Sequence, residues 1–261
     1  MAESARPALT IGLPVYNGAR FLREALESLL AQTFRDFELV VSDNASTDDT
    51  AAICAEYARR DARIRYMRQS TNIGLLANFR SVLDAASGEF FTWAAYDDTW
   101  DPEWLEQLVA TSARHRCLSY GLLQKVDERA SPLHDPANHR RLEFLGTRWS
   151  RRLRYFVQPS FLGKYQRIYG VVPTAELKAI RPFEDETNLR GSDLLLLYDL
   201  LARIEIRHGG EVRIFKRVHE DCAGAGGDAK RIRHPRAVVR WARFAGVILS
   251  STHLKRYLAR S

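Results

Sequence analysis

The sequence predicts an α/β protein with a mostly parallel, Rossmann-like sheet that is flanked by helices. Two observations lead to this fold class. From residue 9 to residue 112, short apolar segments with strand character alternate with longer segments whose apolar residues recur at helical spacing. Polar and acidic residues follow these strands directly, at the edge where parallel sheets bind ligands. With 261 residues, 46% hydrophobic and 27% charged, the chain can bury a substantial core.

The sequence of the first half of the chain predicts four strands and four helices in alternation. The strands are the apolar or alternating segments 9–15, 37–42, 64–67 and 90–95. Three helices are predicted over 18–31, 75–86 and 102–112, and a further helix starts at 46–49. Asp101 and Pro102 suit the cap and the first position of the last helix. This alternation implies a parallel sheet with helices on both faces.

The second half is less regular. The pattern predicts a strand over 118–126, a polar loop or lid over 127–150 and an apolar helix over 191–204. Segments 205–208 and 212–218 flank Gly209 and Gly210, which predicts a β-hairpin. A final helix with one apolar face is predicted over 236–250. We therefore divide the chain into a first half, 1–115, a second half of the same domain, 116–228, and a tail, 229–261.

The net charge of +7 is concentrated in this tail. Residues 229–261 contain nine basic and no acidic residues, so the remainder of the chain is slightly acidic. This distribution argues against a nucleic-acid-binding protein. The tail combines its basic residues with an apolar face that includes Trp241, which is typical of a helix on an anionic membrane surface. A helix docked on the domain, with arginine stems on its rim, would show the same pattern.

Several common active-site motifs are missing from the sequence. No G-x-G-x-x-G follows the first strand, and there is neither a P-loop nor a G-x-S-x-G elbow. Cys54, Cys117 and Cys222 do not have the paired spacing of a disulfide framework or a zinc site. The sequence therefore argues against a dinucleotide-binding oxidoreductase, a P-loop NTPase and an α/β hydrolase.

The sharpest candidate for chemistry is the pair Asp97 and Asp98, on a turn after strand 90–95. Two carboxylates about 4 Å apart repel each other by about 4 kcal/mol at an effective dielectric constant of about 20. A divalent cation offsets this repulsion, and oxygen ligands suit Mg²⁺ or Mn²⁺. The alternative is a solvated acidic turn in which Asp101 caps the next helix.

Two further strand ends carry polar or aromatic residues. Asp43 follows strand 37–42, where a carboxylate can accept the N–H of a pyrimidine base. It could equally be a turn residue, with Ser46 or Thr47 as the helix cap. Pro14 and Tyr16 end the first strand, where they form either an aromatic binding face or a tight strand–helix turn.

Taken together, these positions carry a resemblance to a known family. Residues 9–109 resemble the nucleotide-binding half of an inverting family 2 glycosyltransferase, whose fold is of the GT-A type. The resemblance rests on the order and spacing of the segments IGLPVYN (11–17), LLAQTFRDFELV (29–40), SDNASTD (42–48), NIG (72–74) and YDDTW (96–100). The second half is similar to the acceptor side of the family at 170–172, 181–183 and 191–194.

The resemblance implies a role for each matched position. Pro14 and Tyr16 would line the base and ribose of a nucleotide diphosphate sugar, and Asp43 would bind the base. Many relatives have two aspartates where this chain has Ser42 and Asp43, which leaves the choice of nucleotide open. The donor site would also include Asn17, Asn72 and Asp97. Asp97 and Asp98 would hold the diphosphate through the metal, with Asp98 as the preferred direct ligand.

The resemblance also implies roles for residues of the second half. His219 would reach the metal or the diphosphate, although a lone histidine is as often structural. Asp193 would be the general base that activates the acceptor hydroxyl, with Asp185 as the second candidate. Asp193 could instead be a plain helix N-cap, and Asp185 part of a solvated loop.

From these observations we expect a metal-dependent inverting glycosyltransferase that uses Mn²⁺ or Mg²⁺ and a UDP- or dTDP-linked sugar. The expected acceptor is a cell-surface glycan, a polysaccharide or a lipid-linked molecule, and no nucleic acid. The alternatives are a nucleotidyltransferase on a related fold and a non-catalytic module that binds anionic lipid or nucleic acid. Residues 1–7 lack the apolar core of a signal peptide, so we expect a cytoplasmic protein, peripheral on the membrane through its tail.

Overall fold

The structure, a computed structural model, describes residues 6–183 and 192–220. Its strands are β1 (Leu9–Val15), β2 (Phe37–Asp43), β3 (Ile64–Arg68), β4 (Phe90–Trp93), β5 (Thr99–Trp100), β6 (Leu118–Val126), β7 (Val172–Pro173) and β8 (Ile206–Arg217). Its α-helices are α1 (Ala19–Leu30), α2 (Thr50–Arg60), α3 (Leu75–Asp84), α4 (Trp104–His115), α5 (Arg148–Val157), α6 (Thr174–Ala179) and α7 (Ser192–Leu200). Two 3₁₀ turns, Ser160–Leu162 and Lys164–Tyr169, follow α5.

The first half forms the predicted parallel sheet. Five strands lie in the order β3-β2-β1-β4-β7, and only β7, which comes from the second half, is antiparallel to its neighbour. The expected α/β fold with a mainly parallel sheet is therefore confirmed. Because β1 lies at the centre with β2 and β4 on either side, the loops that follow these three strands meet at one edge of the sheet.

The central position of β1 follows from its sequence. All seven of its residues are buried, as expected for a strand covered by helices on both faces. Ile11 and Leu13 belong to the same apolar core as α1, which buries one side rich in leucine. Gly12 points to the other face, where a Cβ atom would lie 2.7 Å from the Phe91 ring and 2.8 Å from Val82. Only glycine allows β4 and α3 to approach β1 this closely.

The predicted hairpin at 205–218 is wrong. These residues form one strand, β8, which runs parallel to β6 and antiparallel to the short strand β5 in a second, three-stranded sheet. His208 pairs with Tyr120, and Arg213 pairs with Leu122, so β8 contains extra residues between two paired segments. Gly209 and Gly210 thus build a bulge instead of a turn, since both paired segments continue in the same direction along β6.

The start of α4 also differs from the prediction. This helix begins at Trp104 and not at Pro102, and Asp101 does not cap it. The Asp101 carboxylate instead accepts hydrogen bonds from the backbone N–H and the guanidinium of Arg213 in β8. Strand β5, between the Asp97–Asp98 turn and α4, brings Asp101 to β8. A long-range contact therefore replaces the local cap.

The remaining expectations concern the loop 127–150, the tail, the division of the chain and a membrane-spanning helix. The predicted loop 127–150 contains no regular element until α5 begins at Arg148. The predicted tail, 229–261, and Asp185 lie outside the described residues. The division into 1–115, 116–228 and 229–261 stays a prediction. No helix within 6–183 or 192–220 is long and apolar enough to cross a membrane.

Candidate functional site

Asp97 and His219 meet at the carboxyl ends of the strands. Asp97 lies on the turn after β4, and His219 lies two residues beyond the end of β8. His219 Nε2 is 3.0 Å from Asp97 Oδ2, and the exposed fractions of the two side chains are 2% and 13%. The His219 ring also packs on Phe21 of α1, with 4.9 Å between ring centroids. Two residues separated by 122 positions thus form one pair, in which Asp97 is partly exposed and His219 is buried.

Asp98 has a different environment from its neighbour. Its side chain is fully buried, and its carboxylate accepts hydrogen bonds from Lys216 Nζ at 2.5 Å and from the Arg217 N–H at 3.1 Å. The ammonium group of Lys216 also lies 3.9 Å from the centroid of the Tyr169 ring. Burial raises the pKa of Asp98 to about 7, although Lys216 acts in the opposite direction, and the Asp98 carboxylate raises the pKa of Lys216.

The structure therefore separates the two aspartates that the sequence paired. We expected Asp98 to be the preferred direct metal ligand, but its carboxylate points into the protein and is engaged by β8. Asp97 is the residue of the pair that keeps some exposure. The physical reason is that Lys216 Nζ and the Arg217 N–H of β8 both donate to the Asp98 carboxylate and hold it inside the protein.

Arg217 fixes the Asp97–Asp98 turn through its guanidinium group. It is 5% exposed and donates hydrogen bonds to Asp97 O at 3.1 Å and to Glu128 O at 2.6 Å. Its other terminal nitrogen is 2.5 Å from a carboxylate oxygen of Glu24. Lys216 and Arg217 were both missed by the sequence reasoning. The available signal was a pair of adjacent cations within the predicted strand segment 212–218.

The loop after β1 is tied to the loop after β2. Asn17 adopts a positive φ of 50°, its backbone N–H donates to Ser46 Oγ at 2.9 Å, and its Oδ1 accepts the Thr47 N–H at 2.9 Å. Tyr16 is left 43% exposed, whereas Pro14 is buried. Of the predicted donor-site residues on this loop, Tyr16 and Asn17 are thus accessible to a ligand and Pro14 shapes the strand end.

Asp43 is fully buried at the end of β2. Its Oδ1 accepts the Ser46 N–H at 2.8 Å, and its Oδ2 accepts the Tyr66 hydroxyl at 2.9 Å. Arg68 lies 3.5 Å from the same Oδ2. Burial and the Asp43 carboxylate raise the pKa of Tyr66. Asp43 therefore organises its own loop, and its contact with a nucleotide base stays a prediction.

A group of asparagines extends the site toward α3. Asn72 is exposed, and its Oδ1 accepts hydrogen bonds from Asn44 Nδ2 at 3.0 Å and from the Gly74 N–H at 2.9 Å. Asn78 is buried and accepts the Ser42 hydroxyl at 2.7 Å. The sequence reasoning placed Asn72 in the donor site, noted Asn44 at a strand end without a role and missed Asn78. Asn44 and Asn78 connect the loop after β2 to the start of α3.

Asp193 lies in the first turn of α7. Its Oδ1 accepts the Leu194 N–H at 2.8 Å, and burial raises its pKa. The neighbouring Tyr155 donates its hydroxyl to Leu194 O at 3.2 Å. Within the described ranges, no hydrogen bond or ion pair joins Asp193 to Asp97, Asp98 or His219. Its role as a general base stays a prediction.

Asp97 and His219 fit part of the shell of a divalent cation. Adjacent ligands of an octahedral Mg²⁺ or Mn²⁺ at about 2.1 Å are about 3.0 Å apart. The Asp97 Oδ2–His219 Nε2 distance of 3.0 Å is close to that spacing, and it is equally the distance of the hydrogen bond between the two side chains. In the part of the chain that the structure describes, no group of three or more His, Cys, Asp and Glu side chains could hold a metal. A cation here would need phosphate oxygens and water to complete its shell, as Mg²⁺ commonly does.

Comparisons with known proteins show the family to which the chain belongs. The family model described as glycosyl transferase family 2 matches residues 10–166, which is more than half of the chain. Glycosyltransferase GlyA of Streptococcus pneumoniae is 37% identical over 100 residues, which cover 38% of this chain and 14% of that protein. The uncharacterized glycosyltransferase RT0329 of Rickettsia typhi is 33% identical over 103 residues, which cover 40% of this chain and 31% of that protein. The chain therefore spans less than a third of either relative.

Solved structures are similar to the described fold. The crystal structure of S. aureus TarS 1–349 in complex with UDP-GlcNAc has a TM-score of 0.62 and 22% sequence identity, covering 94% of this chain and 67% of that one. The same protein in complex with UDP also has a TM-score of 0.62, with 21% identity. At these identities the likeness concerns the fold.

Proposed function

The chain belongs to glycosyl transferase family 2, and on that premise we propose that it transfers a sugar from a nucleoside diphosphate sugar to an acceptor hydroxyl. The observation that carries the proposal is the Asp97–His219 pair at the ends of β4 and β8. Phe21 joins this pair to α1, and a Cβ atom on Gly18 would lie 2.7 Å from the Tyr96 ring. The turn with Asp97 therefore adjoins the loop that carries Tyr16.

For the donor we propose a UDP-linked sugar, with a dTDP-linked sugar as the alternative. The complexes of TarS with UDP and UDP-GlcNAc support a uridine nucleotide. Tyr16 is 43% exposed, so its ring can stack on a base or ribose. Asn17, on the same loop as Tyr16, and Asn72, on the loop between β3 and α3, would supply polar contacts.

We assign Asp97 and His219 as the residues that hold Mn²⁺ or Mg²⁺ together with the donor diphosphate. When bound, the ion stabilises the negative charge that builds on the diphosphate as the sugar–phosphate bond breaks. Asp98, Lys216 and Arg217 act on Asp97 by fixing the turn on which it lies. They are positioning residues, because none of them needs to touch the donor.

The transfer step needs a proton acceptor on the acceptor side, and we assign that role to Asp193. The acceptor hydroxyl attacks the anomeric carbon on the face opposite the diphosphate, so a single displacement inverts the configuration. The hydroxyl proton passes to the Asp193 carboxylate, and the electron pair of the broken bond leaves with the diphosphate. Burial raises the pKa of Asp193, which makes its carboxylate a stronger base than that of an exposed aspartate.

The acceptor class that we propose is a glycan, a polysaccharide or a lipid-linked molecule. The second half would bind it, since Asp193 lies on α7, and this helix contacts the segment 148–169 through the hydrogen bond from the Tyr155 hydroxyl to Leu194 O. The identity of the sugar and the linkage depend on pocket shape, which calls for a screen over a panel of nucleotide sugars.

Donor binding is the direct test of this function. Titration calorimetry with UDP, dTDP and GDP, each with and without Mn²⁺, should show Mn²⁺-dependent binding of at least one nucleotide. Asp97→Asn should weaken that binding on the order of tenfold or more, because it removes a charge that faces the cation. The matched control is Asp84→Asn, at an exposed aspartate that pairs with Arg80 on α3. Failure of all three nucleotides to bind in the presence of Mn²⁺ would refute the proposal.

A further inference from the structure

Helix α5 presents an exposed apolar stripe. Trp149, Leu153 and Val157 recur at every fourth residue and are 55%, 63% and 50% exposed. Residues at this spacing share one face of a helix. Phe161, in the 3₁₀ turn that follows, is 38% exposed. Four of the nine exposed large apolar side chains in the described ranges thus lie within 13 residues, which is unlike the scattered exposure of an ordinary surface.

Basic residues flank this stripe. At about 100° per residue, Arg154 lies on one side of the stripe and Arg148 on the other, and both are exposed. The Arg148 guanidinium is 5.2 Å from the Trp149 ring centroid. Residues 144–175 contain six basic and no acidic residues, but Arg151, Arg152, Lys164 and Arg167 are buried, so the exposed cations of this segment are Arg148 and Arg154. The stripe is therefore an apolar surface with an exposed arginine at either rim.

The opposite face of α5 is fastened to the protein. Tyr155 is fully buried, and Arg151 donates a hydrogen bond to Leu201 O just after α7. Thr147 caps the helix, since its side chain accepts the Ser150 N–H. The exposed stripe is thus part of a firmly packed element, and its exposure does not arise from a loosely attached helix.

We propose that α5 and the following turn, residues 148–161, bind the surface of an anionic lipid bilayer. A helix with aliphatic and aromatic side chains between arginines is the pattern of an interfacial helix, in which apolar side chains enter the acyl region and cations meet lipid phosphates. A second copy of the chain is a poorer occupant, because a two-fold contact through this face would bring the arginine rims together. The inference needs no donor, acceptor or metal and is independent of the proposed function.

The test is sedimentation of the full chain with vesicles. Phosphatidylcholine vesicles that contain phosphatidylglycerol should bind the chain, and vesicles of phosphatidylcholine alone should bind it less. The double variant Leu153→Ser/Val157→Ser should lose binding on the order of tenfold or more, because two apolar side chains no longer enter the bilayer. Arg148→Gln/Arg154→Gln should reduce the salt dependence of binding. Leu133→Ser, at an apolar residue 37% exposed on another loop, should bind like the unchanged chain.

A second measurement keeps the proposal testable if a variant does not fold. Lipids that are brominated in their acyl chains should quench the fluorescence of Trp149 when the chain binds. This quenching should be absent in the Trp149→Phe variant. No binding to phosphatidylglycerol vesicles, or unchanged binding by a folded Leu153→Ser/Val157→Ser chain, would overturn the proposal. If Leu153→Ser/Val157→Ser binds vesicles like the unchanged chain but no longer forms a dimer in light scattering, the proposal is overturned. The stripe would then be a contact between two copies of the chain.

Discussion

At the scale of single residues, Asp97 and Asp98 illustrate how far a motif can be interpreted. The two are adjacent in sequence, yet one meets His219 near the surface and the other is fully buried against Lys216. The sequence identified the correct turn, because acidic residues after an apolar strand are a local signal. It did not identify which carboxylate faces outward, because that depends on Lys216, 118 residues away.

The buried pair of Lys216 and Asp98 gives a stability prediction. Lys216→Met leaves the Asp98 carboxylate buried without its cation, and breaking such a pair costs on the order of 3 kcal/mol. Urea unfolding should therefore show a loss of that size in the free energy of unfolding. Lys125→Met is the matched control, since both partners of the Lys125–Asp135 ion pair are 24% exposed and a loss of about 1 kcal/mol or less is expected. Equal losses in the two variants would contradict the importance of the Asp98 environment.

Asp193 gives a prediction about pH. A general base must be deprotonated, so turnover falls as the pH drops through the pKa of Asp193. Because burial raises that pKa, the fall should begin at a higher pH than for an exposed aspartate. Asp193→Asn should reduce turnover by a factor of about 100 or more, while the affinity for UDP and Mn²⁺ stays unchanged. Asp199→Asn, on the same helix, is the control, and retained transfer by Asp193→Asn would rule out this base.

At the scale of elements, the β8 bulge gives a comparison of two glycines. A Cβ atom on Gly121, at the register shift, would lie 2.4 Å from Val212 O and from the Trp104 ring, whereas one on Gly209 would meet the end of the Leu108 side chain. Gly121→Ala should therefore lower the free energy of unfolding by about 2 kcal/mol or more, and Gly209→Ala by less, since Leu108 can move. Thermal unfolding of both variants checks this order. A larger effect at Gly209 would argue against the bulged register.

Elements with local signals were predicted well, and elements defined by pairing were not. Strands β1 to β4 and helices α1 to α3 lie close to their predicted limits, because period-2 and period-3.6 patterns belong to each segment alone. Strand β5 has only two residues, and it exists because β8 pairs with it. The Gly209–Gly210 signal predicted a turn, but β6 offered a parallel partner on both sides of it.

At the scale of the whole molecule, the two halves share both sheets. β7 of the second half pairs with β4, and β5 of the first half pairs with β8. Arg217 also reaches Glu24 in α1. We therefore expect one cooperative unfolding transition, in which far-ultraviolet circular dichroism and tryptophan fluorescence give the same midpoint in urea. Two separated transitions would indicate that the halves fold as independent units.

The surface proposed for lipid and the proposed acceptor side lie on the same part of the molecule. Tyr155 of α5 donates its hydroxyl to Leu194 O in α7, the helix that carries Asp193. A bilayer held by α5 would therefore lie beside the element to which we assign the general base. This arrangement suits a lipid-linked acceptor, and it was not anticipated from the sequence, which directed the membrane prediction to the tail, 229–261.

The sequence by itself determined the parallel α/β sheet and the strand ends at which Tyr16, Asn17 and Asp97 lie. It could do so because each strand and helix carries its own hydrophobic period, and parallel strands bring their carboxyl ends to one edge. Only the tertiary structure decided that His219 meets Asp97, that Lys216 buries Asp98, and that β8 is one bulged strand. These features depend on pairing between β8 and segments about 90 to 120 residues earlier in the chain, which no local pattern encodes.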